Sequence, residues 1–137
     1  MSKSDRSDAS RINLTDSDDQ IAQKLRKART DPEPLPDAMD ALADRAEARN
    51  LVTIYAALAG VAPEQVLAQF AGQGFGQFKP ALAGLAVATL GPIRTRLTEL
   101  LADRAEVGKL LETGAEKART LAAPTLRAAQ QAIGLQV

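Results

Sequence analysis

Neither histidine nor cysteine occurs in the 137 residues. Without histidine the chain lacks the commonest general base and the commonest neutral metal ligand. Without cysteine it can form neither disulfides nor thiolate metal sites, and a cytoplasmic location becomes the default expectation. Tryptophan is also missing, and aromatic residues make up only 3%. No apolar run approaches the roughly 18 residues of a membrane span, and no basic-then-apolar leader opens the sequence. Charge of one sign is not in excess either: 17 Lys and Arg face 17 Asp and Glu. Any attraction to a polyanion must therefore come from a local patch.

Ala and Leu dominate what is present, and both are strong helix formers, while β-branched residues are scarce. The sequence predicts an all-α fold of five to seven helices with no sheet. Helix one is expected after Thr15 or Asp16, with Asp18 and Asp19 in its first turn and Ile21, Leu25 and Ala28 inward. The proline-rich run from Asp31 to Pro36 ends it. A short helix from about Asp37 leads into one with the stripe Leu51, Ile54, Tyr55 and Leu58, stopped at Gly60. Pro63 opens the next, carrying Val66, Leu67 and Phe70. Residues 72–76 form a glycine-rich turn between helices, which no strand precedes, so it is not a dinucleotide fingerprint. A long stripe from Leu82 to Leu101 comes next, with a kink expected at Gly91 and Pro92. Asp103 caps the last element, Gly114 and Pro124 should bend or divide it, and Gly134 closes it. The expected core comprises Leu51, Ile54, Leu58, Leu85, Leu90, Leu97, Leu110 and Leu121.

The first residues carry the sharpest motif. Met1, Ser2, Lys3 and Ser4, followed by Asp5, match the KMSKS loop of class I aminoacyl-tRNA synthetases without its leading lysine. A mobile lysine suits that chemistry, because negative charge builds on the phosphates as pyrophosphate leaves. Taken alone, the four residues read first as a polar N-terminus; the rest of the chain overturns that reading. Further stretches, in order, are similar to the segments downstream of that loop in bacterial tryptophanyl-tRNA synthetases. They cover residues 10–16, 21–34, 50–60, 75–82, 114–119, 123–126 and 132–135, so the resemblance spans essentially the whole chain. One departure is Ala46, where that family often has proline, which predicts an earlier helix start.

The resemblance implies a C-terminal piece of such an enzyme, with residues 1–15 as loop and connector. Residues 16–112 would be a helical anticodon-binding domain, and 113–137 a helical segment packing toward a missing N-terminal catalytic domain. Met1, Ser2, Lys3 and Ser4 would contact ATP, with Lys3 catalytic in the full enzyme. That enzyme would use ATP with Mg2+ as substrate, bind tRNA-Trp and form a homodimer, with no membrane association. The family's HIGH motif needs histidine and its nucleotide fold needs strands. The piece alone is therefore expected to be inactive, with no cofactor or metal of its own. Lys24, Arg26, Lys27 and Arg29 on helix one, and Arg94 and Arg96 beside Pro92, are candidate tRNA-phosphate contacts. An ordinary solvated helix face is the competing account of all six. A stand-alone helical RNA-binding or interaction module and a purely structural helical protein remain alternatives. If the upstream domain is absent, Leu126, Ala129, Ile133, Leu135 and Val137 should be left partly bare.

Overall fold

The computed structural model describes residues 7–135. Among them are five α-helices, two short 3₁₀ turns and no strands. The helices are α1 (Asp18–Lys27), α2 (Ala46–Ala59), α3 (Pro63–Phe70), α4 (Phe75–Ala102) and α5 (Arg104–Ala132). The fold is all-α, as its composition predicts.

Local chemistry sets most helix ends. Ser17 caps α1 in a capping box: its Oγ accepts from Gln20 N–H at 3.2 Å, and Gln20 Oε1 accepts from Ser17 N–H at 2.8 Å. Helix α2 begins at Ala46 and ends at Ala59, with Gly60 as its C-cap. Gly60 takes φ +68°, a left-handed conformation that lets the Val61 N–H reach back to the Ala56 carbonyl at 3.0 Å. Pro63 opens α3 where its missing N–H costs nothing. Asp103 caps α5 by accepting from Glu106 N–H at 3.0 Å. Gly91 and Pro92 do not stop α4, and Gly114 and Pro124 do not divide α5. The uninterrupted α4 agrees with the expectation of no stop at Pro92. Of the bend or division expected at Gly114 and Pro124, the division does not occur: a single missing hydrogen bond is tolerated where the flanking turns are good helix formers.

The chain divides into two compact units between Thr95 and Arg96. In the first, Ile21, Leu25, Leu51, Val52, Val66, Leu67, Leu82 and Ala86 are buried in one core. The few aromatic side chains gather at its centre. Phe70 and Phe78 meet edge-on at 5.1 Å between ring centroids, with Tyr55 at 5.3 Å from Phe70 and Phe75 at 6.3 Å from Phe78. Ile54, Leu58 and Leu90 pack partly buried against this core. Leu35, set between two prolines, is also buried. Its N–H donates to the Gln73 carbonyl at 2.9 Å and its carbonyl accepts from Gly72 N–H at 2.8 Å. Those two bonds stitch the proline-rich segment to the glycine turn.

The second unit holds the end of α4 and all of α5. No residue of α5 is buried. Leu110 and Leu121, expected in the core, are 51% and 80% exposed. Helical spacing shows that a face could be covered, but does not supply the surface that covers it.

Candidate nucleic-acid interface

The basic residues from Lys24 to Arg29, on α1 and just past its end, separate into two kinds. Lys24 is drawn inward, its side chain 12% exposed, and its Nζ donates to Asp8 Oδ2 and Asp16 Oδ2, each at 2.7 Å. Asp16 is the buried charged residue among the described ones, and Asn13 N–H donates to its Oδ2 at 2.9 Å. Burial pushes the Asp16 carboxyl up, but the bonds from Lys24 and Asn13 together outweigh it and leave its pKa lowered. The bond from Lys24, supported by Asn13, pulls the Asp8 carboxyl down to about 2. Asp16 and then Asp8 raise the Lys24 ammonium. All three groups are charged at neutral pH, and two of the three lysine donors are engaged.

Arg26, Lys27 and Arg29 stay exposed. Lys27 and Arg29 border a groove of about 360 Å³ whose other walls include Ser10, Glu47 and Asn50. Arg29 Nε lies 4.0 Å from Glu47, a solvent-facing contact that adds little. Arg26 faces a second groove of about 490 Å³, beside Ala22, Pro80 and Val87. Lys24 and Lys27 do lie three residues apart on α1, but α1 ends at Lys27, so Arg29 sits beyond the helix and the spacing expected of Arg26 and Arg29 does not apply. The burial of Lys24 comes from its acidic partners rather than from its spacing.

Arg94 donates to the Asp16 carbonyl at 3.0 Å and pairs with Asp18 at 2.7 Å, binding α4 to the start of α1. In the second unit Arg96 pairs with Glu99 at 3.2 Å and Glu106 at 3.6 Å. Met1, Ser2, Lys3 and Ser4 lie outside the described residues. Among the described residues, no cluster of three or more acidic side chains could hold a metal ion, and no single helix is long and apolar enough to cross a membrane.

Two basic residues that spacing did not single out prove structural. Arg45 grips the proline-rich segment. Its Nε and Nη2 donate to the two oxygens of Asp31 at 3.0 and 2.6 Å, and it donates to the Glu33 and Pro34 carbonyls at 2.9 Å each. That fork holds the Asp31 carboxyl below its ordinary value. Lys79 Nζ donates to the Ala28 carbonyl at the end of α1 at 2.7 Å, and burial lowers its pKa. The sequence signal for Arg45 was faint: a lone arginine in front of a helix, 14 residues past an aspartate.

The family model described as tRNA synthetases class I (W and Y) matches residues 1–91. Among curated proteins, the chain is 60% identical over 134 residues to the tryptophan–tRNA ligase of Caulobacter vibrioides. It is 54% identical to that of Rhizobium meliloti and 44% identical to that of Thermosynechococcus vestitus. Each match covers 98% of this chain but only 38–40% of the relative, so the chain spans about two fifths of their length.

Proposed function

The chain belongs to the class I tRNA synthetases (W and Y), and from that membership we propose that it is the part of a tryptophan–tRNA ligase that carries the ATP-phosphate loop and the anticodon-binding helices. The observation that carries the reading is the 60% identity with a tryptophan–tRNA ligase across 98% of the chain. In the complete enzyme, L-tryptophan is activated by ATP with Mg2+ and transferred to tRNA-Trp. Lys3 places positive charge on the phosphates as pyrophosphate departs, and Met1, Ser2 and Ser4 complete the loop around them. Arg26, Lys27 and Arg29, exposed beside the two grooves, take tRNA phosphates, with Arg96 as a further contact. Lys24 and Arg94 spend donors within the chain and support the surface that those residues present. The remaining three fifths supply the tryptophan and adenine pockets, and the complete enzyme is a cytoplasmic homodimer. Residues 16–112 act as the anticodon-binding domain and 113–137 pack toward the catalytic domain.

Three assays test this. The purified chain should show no tryptophan-dependent pyrophosphate exchange; exchange above background would overturn the division of labour. A full-length ligase with these residues in place of the matching stretch should lose about a hundredfold in adenylate formation on Lys3→Ala, as when one transition-state charge contact is removed. Unchanged turnover would take Lys3 out of the mechanism. Binding of tRNA by the isolated chain that weakens steeply with salt and with Lys27→Ala would place the phosphate contacts on α1.

A further inference from the structure

The turn Asp8–Ser10 sits just after the proposed ATP-phosphate loop, and none of its residues is buried. The first apolar anchor after it is Ile12, partly buried against the core. Attachment of the turn therefore falls to polar contacts. Two of these converge on Asp8: Lys24 Nζ at 2.7 Å and Asn13 Nδ2 at 2.8 Å. The same two residues also hold Asp16, which is 6% exposed and whose backbone carbonyl accepts from Arg94. A buried carboxylate paired in this way has one well-defined geometry, because losing its partner leaves a charge without compensation. The lysine bridges that fixed point and a surface turn that has no apolar anchor of its own.

We propose that Lys24 is a positioning residue: by bridging Asp8 and the buried Asp16 it fixes the turn Asp8–Ser10 on α1, and so sets the point from which the chain leads back to Lys3. The consequence for catalysis rests on the proposed role of Lys3 at the ATP phosphates. Asp8 lies five positions after Lys3, a tether of at most about 18 Å. Fixing the far end of that tether bounds the region Lys3 can reach, and misplacement by about 1 Å can cost on the order of a hundredfold in rate. Lys24 touches no reacting atom in this scheme. It acts through Asp8.

The test has a structural arm and a kinetic arm. In the 137-residue chain, Lys24→Met keeps the aliphatic stem and removes the ammonium. The Asp8 carboxyl, followed by carbon-detected NMR, should move from about 2 toward its ordinary 3.8. Amide exchange at Ser10 and Arg11 should quicken at least tenfold, while α2 and α3 stay protected. Asp8→Asn, at an exposed position, should free the same amides without touching the buried pair, which guards against a variant that merely unfolds. Lys24→Arg should restore much of the protection, and Lys117→Met on α5 should change nothing. Amides that remain protected in both Lys24→Met and Asp8→Asn would overturn the proposal. In the full-length hybrid ligase, Lys24→Met should lower kcat for adenylate formation at least tenfold with little change in KM for tryptophan. A freed turn with unchanged kcat in an active hybrid would also overturn it. If Lys3→Ala leaves an active hybrid unaffected, the loop reading fails instead, and the attachment of the turn is judged by the exchange data.

Discussion

Arg45 shows how much one side chain can hold in a small helical protein. It is largely buried, with 15% of its side chain exposed, and it ties a carboxylate and two carbonyls of the proline-rich segment to the start of α2. Those carbonyls precede Leu35, whose burial depends on the path of this segment. Replacing Arg45 by Met should therefore cost about 2 kcal/mol, the size expected for partly buried charge-assisted bonds. The pH dependence has a definite sign. Asp31 has a folded pKa below its ordinary 3.8, so the stabilisation is complete above that value and is lost as pH falls through the lowered one. Urea unfolding should show a constant gap between wild type and Arg45→Met from about pH 8 to about 5, closing as acid protonates Asp31. A gap that widens in acid would contradict the assignment. Little of this was legible in the sequence. Asp31 and Arg45 are separated by a segment that pattern reading assigns only as a helix stop, and nothing local says that the two meet.

At the scale of elements, the features that the sequence announces are those a few neighbouring residues decide. Gly60, Pro63, Asp103 and Gly134 sit where expected because caps and stops are settled within one turn. Five of the six basic candidates lie on the expected helices, while Arg29 falls past the end of α1, and which of them face solvent depended on distant acids such as Asp8 and Asp16. Burial depends on partners far along the chain. Leu35 and Leu42 are buried although neither belongs to a periodic stripe, whereas Leu110 and Leu121 have the spacing and are exposed. Leu67→Ala, at a position with no exposure, should cost about 3 kcal/mol, lost transfer energy plus the cavity left behind. Leu121→Ala should cost about 0.5 kcal/mol or less, because the side chain has little buried area to lose. Chemical denaturation of the two variants side by side checks the contrast. Equal losses would mean that α5 is packed in solution.

For the molecule as a whole, the question is what an uncovered α5 does in water. Leu111, Leu121, Leu126 and Ile133 are 69%, 80%, 58% and 74% exposed, and Leu135 is 55% exposed, in line with the bare C-terminal segment expected from the sequence; Val137 lies outside the described residues. Burying each such side chain is worth about 1.5–3 kcal/mol, and apolar patches beyond a few hundred Å² tend to find partners. Electrostatics offer no protection, since the formal net charge is zero at pH 7 and like molecules repel only weakly. The chain should therefore self-associate as concentration rises, with an apparent mass above that of a 14.5 kDa monomer in light scattering. Leu121→Glu combined with Leu126→Glu should restore the monomer without lowering the urea midpoint, because neither residue contributes to the core. Adding the complementary part of a tryptophan–tRNA ligase should compete with self-association if that domain is the natural cover of α5, and the glutamate pair should abolish the competition. Wild-type chain that stays monomeric at millimolar concentration, and ignores the added domain, would show that α5 needs no cover. The helical unit up to Thr95 would then stand as a self-sufficient module, and a role apart from the ligase would become the better account.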